Sequence, residues 1–191
     1  MYGGLVSWGQ SQYIDGSSDL YGTDVSDQVH DVFKTYRDTI LIVDNAEKKV
    51  SSTIGHGLMD NNPFSAQRFA QAEDNMGKIM NVLKAGDEEA FIKIVESEAL
   101  TLHAMMMTSD PYYLLMRPNT LTIIEKLFAF REATKIPVGF TLDAGPNVHV
   151  LYPEHSEKQV NKFIEEELKQ LLHDFCYLSD QVGSGPRKKP L

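Results

Sequence analysis

The sequence predicts an α+β sandwich, with helices packed on one face of an antiparallel sheet. Three observations point there. Four long segments carry apolar residues at helical spacing with polar residues opposite, so each must lay one side on something apolar. Two short β-rich runs, Val138–Leu142 and Val148–Tyr152, flank Asp143-Ala144-Gly145-Pro146-Asn147, a stretch of turn formers that closes a hairpin. The order is strand, three helices, hairpin, helix and strand, which suits helices gathered on an antiparallel sheet.

Elements follow in chain order. Leu5, Val6 and Trp8 read as a short strand within Met1–Gln10, with nothing before it to pair with. Gly16–Asp24 is loop by composition. Ser26–Tyr36 predicts a short helix with Val29, Val32 and Phe33 on one side. Asp38–Val43 (DTILIV) is a buried strand by its β-branched run. Val50–Gly57 opens a short helix or loop, with Ser52 or Thr53 as N-cap. Asn62-Pro63 starts the first long helix, whose inward set is Phe69, Ala72, Met76, Ile79 and Leu83. Asp87 caps the second, with Phe91, Ile94, Val95, Leu102 and Met106 inward. Pro118 begins the third, using Leu121, Ile124, Leu127 and Phe128. Ser156 and Gln159 form a capping box before the stripe Val160, Phe163, Ile164, Leu168 and Leu171. Asp174–Ser179 is the last strand, and Gly183–Leu191 a mobile tail.

The chain's 191 residues fit one ordinary domain, or one domain plus a fragment of another, and a chain of this size buries ~70% of its surface on folding. Lys and Arg number 18 against 27 Asp and Glu, a net charge of −9. That balance argues against general nucleic-acid binding, which needs clustered cations. The single cysteine, Cys176, cannot form an internal disulfide, so a reducing, cytoplasmic setting is expected. No apolar run approaches the ~18 residues of a membrane span, and no signal peptide opens the chain.

Motif chemistry is sparse: there is no Walker-type phosphate loop, no Cys/His cluster at metal spacing and no HExxH. The six histidines are scattered. Two places stand out. Asp143 leaves an apolar strand beside small residues that let a ligand come close, or else hydrogen-bonds its own turn. Lys48-Lys49-Val50-Ser51-Ser52-Thr53 offers two cations and three hydroxyls at a helix start, either an anion cradle or an ordinary cap. Met105-Met106-Met107 reads as core filler and Arg187-Lys188-Lys189 as solvated tail.

Several strings resemble the mevalonate diphosphate decarboxylase family. GFTLDAGPNVHVLY is similar to its DAGPN hairpin, and AEKKVSSTIGHGLM to the segment after the first strand of its C-terminal domain. ESEALTLHAMMMTSDPYYLLMRPNTL resembles its His-Ala helix, aromatic stretch and following helix, and QVGSGP a motif near its C-terminus. YGGLVSWG resembles the residues just after the family's Gly-Ser-Gly-Ser-Ala-Cys-Arg-Ser motif. The blocks fall in the right order along essentially the whole chain. Members are much longer, and the part without a counterpart here is N-terminal. It carries the ATP-phosphate loop, a substrate-contacting lysine and that motif's arginine, which holds the substrate carboxylate.

The resemblance therefore implies the C-terminal domain of a split, truncated or mis-started enzyme, a ferredoxin-like α/β sandwich of the GHMP kinase superfamily. On this view residues 1–36 are a remnant of the N-terminal domain with a connecting segment, and 37–191 the C-terminal domain. The implied whole enzyme phosphorylates the 3-hydroxyl of mevalonate 5-diphosphate with ATP and Mg2+. Phosphate and carbon dioxide are then lost, giving isopentenyl diphosphate. Asp143 matches the family's catalytic aspartate, and Ser52, with Ser51 and Thr53, the hydroxyls that contact the substrate diphosphate. ATP and Mg2+ would be bound mainly by the missing half, no metal site is expected in this chain, and a homodimer is the common state of the family. The isolated chain is expected to be inactive. Two rivals are a 3-kinase that does not decarboxylate, and a non-catalytic binding or dimerisation module.

Overall fold

A computed structural model describes residues 3–45 and 62–185. Strand β1 (Val6–Trp8) pairs antiparallel with β2 (Gly22–Asp24), Val6 opposite Asp24 and Trp8 opposite Gly22. This corrects two expectations: the Leu5–Trp8 run has a neighbour, and Gly16–Asp24 is not loop throughout. The glycine that marks the stretch as loop permits the pairing, because a Cβ on Gly22 would sit 2.5 Å from Val6 Cγ1. The expected helix over Ser26–Tyr36 divides into a 3₁₀ turn, Ser26–Gln28, and a short helix α1 (Asp31–Lys34). His30 lies between them in extended conformation, and its Nδ1 accepts the Val32 N–H at 3.2 Å. Val29 and Phe33 are buried as expected.

Strand β3 (Arg37–Leu41) leads to three long helices: α2 (Ser65–Ala85), α3 (Glu88–Met107) and α4 (Pro118–Thr134). Asn62 Oδ1 accepts the Phe64 N–H ahead of α2, and Gly86 ends that helix in the left-handed region. Asp87 caps α3 by accepting the Ala90 N–H at 2.9 Å. Strands β4 (Gly139–Leu142) and β5 (Val148–Tyr152) form the expected hairpin. Helix α5 (Glu157–Phe163) continues through a π turn, Ile164–Leu168. The capping box at Ser156 does not form: a 3₁₀ turn, Glu154–Ser156, leads into the helix, and Ser156 makes no cap hydrogen bond. The last strand, β6, is Tyr177–Gln181, because Asp174 and Phe175 take positive φ in a 3₁₀ turn.

The main sheet is fully antiparallel in the order β4-β5-β3-β6. Its alternation is plain: Leu41, Phe140, Leu142, Val148, Val150 and Tyr152 are buried on one face against Ile123, Ile124 and Leu127 of α4 and Val160, Ile164 and Leu168 from α5 and its continuation. A second cluster joins Ile14, Val25, Val29, Phe33 and Tyr36 from the first thirty-six residues to Leu83 of α2, with Phe91 and Leu151 packed on it.

Two cores mean that the four helices do not share one face of the sheet, as the sequence suggests. Helix α3 lies along β4, close enough that a Cβ on Gly139 would approach Ile92 Cγ2 to 2.8 Å, and α2 packs on α3. The buried line of α3 runs Ile92, Glu96, Ala99, His103 and Met106 rather than through Val95 and Leu102. Of its polar members, Glu96 receives a two-pronged Arg131 at 2.6 and 3.0 Å, whereas His103 has Nδ1 2.8 Å from Ala99 O and its buried Nε2 without a hydrogen-bond partner among the described residues. Phe69, Leu121 and Phe128, expected inward, are exposed.

Candidate functional site

Asp143 stands where β4 ends, on a turn held from three sides. Its carbonyl accepts the Gly145 N–H at 2.7 Å, closing the loop tightly around a buried glycine. Asn147 Oδ1 accepts the N–H groups of Val43 at 2.9 Å and Asp44 at 3.2 Å, which ties the turn to the end of β3. The Thr120 hydroxyl donates to Pro146 O at 2.6 Å and accepts the Arg117 N–H at 3.1 Å, which ties it to the start of α4. Arg117 Nε meets Asp44 Oδ2 at 3.3 Å across the same corner. A turn fixed by this many hydrogen bonds loses little further entropy on holding a ligand. The Asp143 side chain is exposed on it.

Beside the turn, on the sheet face turned away from α4 and α5, lies an ion pair. His149 Nδ1 is 2.9 Å and 3.2 Å from the two Asp38 oxygens. The Asp38 hydrogen bond holds the imidazole pKa above its ordinary value; burial opposes this, and the charges of Asp38 and Asp143 add to it. The protonated ring is thus favoured by two carboxylates, one of them Asp143. Spacing within the sequence conceals this pair, because Asp38 and His149 meet only through the β3–β5 register.

Of the sequence-predicted site, Asp143 lies on the described surface. Ser51, Ser52 and Thr53, with Lys48 and Lys49, fall outside the described residues. The chain approaches that segment through Asp44, which touches the Asp143 turn. Among the described residues no group of three or more His, Cys, Asp or Glu side chains could hold a metal ion, and no helix is long and apolar enough to cross a membrane. Arg117 was invisible as a site residue, since an arginine before a proline-started helix carries no pattern of its own. A cleft of about 560 Å³ lined by Lys93, Arg131, Glu132 and Lys135 lies at the far end of β4 from Asp143 and takes no part in this arrangement.

Comparison with known proteins bears on these features. The profile of the mevalonate 5-diphosphate decarboxylase C-terminal domain matches residues 39–187. A diphosphomevalonate decarboxylase of Ganoderma lucidum is 23% identical over 171 residues, covering 86% of this chain and 42% of that protein. The chain thus spans less than half the length of this curated relative. A mevalonate diphosphate decarboxylase structure from Staphylococcus aureus superposes with TM-score 0.79 at 21% identity, covering 96% of this chain and 53% of that one. A structure of MDDEF in complex with MVAPP, AMPPCP and magnesium gives TM-score 0.69 at 23% identity, covering 78% of this chain and 45% of that one. The fold is that of part of these mevalonate diphosphate decarboxylase structures.

Proposed function

The chain belongs to the mevalonate 5-diphosphate decarboxylase family through its C-terminal domain, and from this we propose that it is the C-terminal portion of an ATP-dependent decarboxylase acting on mevalonate 5-diphosphate. Residues 37–191 are its C-terminal domain, and residues 1–36 belong with the N-terminal half. The observation that carries the reading is Asp143, exposed on a turn anchored to both β3 and α4. A carboxylate on so fixed a backbone is suited to accept or orient the proton of the substrate's 3-hydroxyl. In phosphoryl transfer the protein's contribution is mostly this kind of placement.

ATP supplies the phosphoryl group and magnesium its charge neutralisation. Both would be held mainly by the N-terminal half. Ser52, flanked by Ser51 and Thr53, would contact the substrate diphosphate through hydroxyl and backbone N–H groups. The setting is cytoplasmic.

The test is product analysis. The family's N-terminal half is supplied to this chain, fused or as a second polypeptide, with ATP, magnesium and mevalonate 5-diphosphate. Carbon dioxide, ADP and phosphate in equal amounts support the decarboxylase. A stable 3-phospho product without carbon dioxide points instead to a kinase, and no binding of either substrate to an interaction module.

A further inference from the structure

Asp38, His149 and Asp143 occupy one side of the sheet. His149 lies opposite Ile40 on β3 and Thr141 on β4, and Leu151 opposite Asp38. Residues two apart on a strand point the same way, so Asp38, Ile40, Thr141, His149 and Leu151 share the face turned away from α4 and α5, on which Leu151 packs against the second core and α3 lies along β4 at Gly139. Asp143 follows Thr141 by two residues, one past the end of β4, so its backbone lies near the diagonal position to His149, a separation of about 7–8 Å for such neighbours.

The imidazole is anchored from behind by Asp38, and the His149 side chain is only 23% exposed. With Nδ1 committed to Asp38, the other ring nitrogen and the net charge of the protonated ring are left to act on the remaining surroundings. Among the described residues, the other charged groups near this face are Asp180, opposite Asp38 on β6, and Glu96 of α3, which lies against Gly139 and is paired with Arg131. Tyr36 and Arg37 line the adjoining cleft with Asp38 and Asp180, but Arg37 is engaged by Glu154 and Glu157.

We propose that His149, carried as an imidazolium on Asp38, is a positioning residue for Asp143, its charge drawing that carboxylate to a fixed place at the turn beside this face of the sheet. This rests on Asp143 being the catalytic carboxylate of the proposed enzyme. His149 itself is not required to touch substrate. The direction of the electrostatics agrees, since Asp143 contributes to the raised imidazole pKa. The role exists only while the ring is protonated, so it fades as pH rises through the folded-state value.

Two measurements test this. The first is an NMR titration of the His149 ring in the 191-residue chain. Asp143→Asn should lower the midpoint by roughly 0.3–0.5 pH unit, the effect of a unit charge at about 7 Å in water-like surroundings. Asp38→Asn should lower it further. A midpoint unmoved by Asp143→Asn overturns the proposal. The second is the pH–rate profile of the enzyme completed with its N-terminal half. His149→Gln should lower kcat by roughly tenfold with KM little changed, a modest misplacement effect. It should also abolish the loss of rate at high pH expected of the wild type, and His149→Lys should restore the rate and hold it to higher pH. If Asp143→Asn abolishes turnover while His149→Gln leaves kcat and its pH dependence as in wild type, His149 has no positioning role and the decarboxylase reading stands. If Asp143→Asn turns over normally, the catalytic assignment falls and takes the positioning role with it.

Discussion

A carboxylate that acts on a proton and a carboxylate that shapes its own turn differ in what an isosteric amide does to them. Asp143→Asn keeps the side chain's size, and the backbone of the turn is held by Asn147, Thr120 and the Gly145 N–H rather than by the Asp143 side-chain oxygens alone. In the completed enzyme this variant should lose about 10²–10⁴-fold in kcat with substrate affinity little changed, read by steady-state kinetics and substrate titration. Ser52→Ala should act instead on affinity, raising KM severalfold, because it removes one hydrogen bond to a diphosphate. The Asp38–His149 pair carries a stability prediction as well. Its folded-state imidazole pKa is raised above the ordinary 6.5 by the Asp38 hydrogen bond. The pair's contribution is therefore fully present below about pH 6.5 and is lost as pH rises through the raised folded value. The site is partly solvated, so the whole effect should stay within about 1 kcal/mol. Urea midpoints taken from pH 6 to 9 should fall with pH in the wild type and much less in Asp38→Asn; parallel curves would show that the pair gives no linkage.

Packing between elements is close where β4 meets α3. A Cβ on Gly139 would lie 2.8 and 3.0 Å from the Ile92 side chain. Gly139→Ala should therefore cost about 1–3 kcal/mol by overpacking, seen as a lower urea midpoint, and pairing it with Ile92→Ala should recover part of the loss relative to Ile92→Ala alone. The Glu96–Arg131 bridge between α3 and α4 is a second such point, with Glu96 buried and Arg131 also donating to Val138 O. Arg131→Met leaves a buried carboxylate without its cation and should cost about 3 kcal/mol, seen as a lower urea midpoint. These same elements explain what the sequence makes legible. The β4–β5 hairpin is readable because its period-two alternation and its five turn residues are all local. The line of α5 is readable because every buried member is apolar. The buried line of α3 is not, because Glu96 and His103 lie on it, and a carboxylate inside a core is intelligible only once Arg131 is seen across from it. Asp143 could be singled out from its turn, whereas Asp38, His149 and Arg117 join the site through strand register and the corner between β3 and α4.

At the scale of the molecule, the main sheet and its helices form one core, while the first thirty-six residues form a cap built on the second. That cap leaves Val6 43%, Trp8 69%, Leu20 86% and Tyr21 55% exposed around a ribbon of two three-residue strands. A two-stranded ribbon has little stability of its own in water and two unpaired edges that can accept another strand. The chain also covers only 42% of the Ganoderma lucidum relative. Together these features favour a surface completed by the rest of the enzyme, and they set the activity expected of the isolated chain. Holding two reactants in register is worth about 7–11 kcal/mol of a barrier, and a single exposed carboxylate supplies little of that. Purified alone with ATP, magnesium and mevalonate 5-diphosphate, the 191 residues should therefore release no carbon dioxide. Adding the N-terminal half should restore turnover and, in the same titration, move the emission of the single tryptophan, Trp8, to shorter wavelength as its ring leaves water. Restored turnover with unchanged Trp8 emission would mean that the halves meet elsewhere than at the ribbon. Carbon dioxide from the chain alone would mean that the site formed by these residues is sufficient, and that the N-terminal half is dispensable for the chemistry.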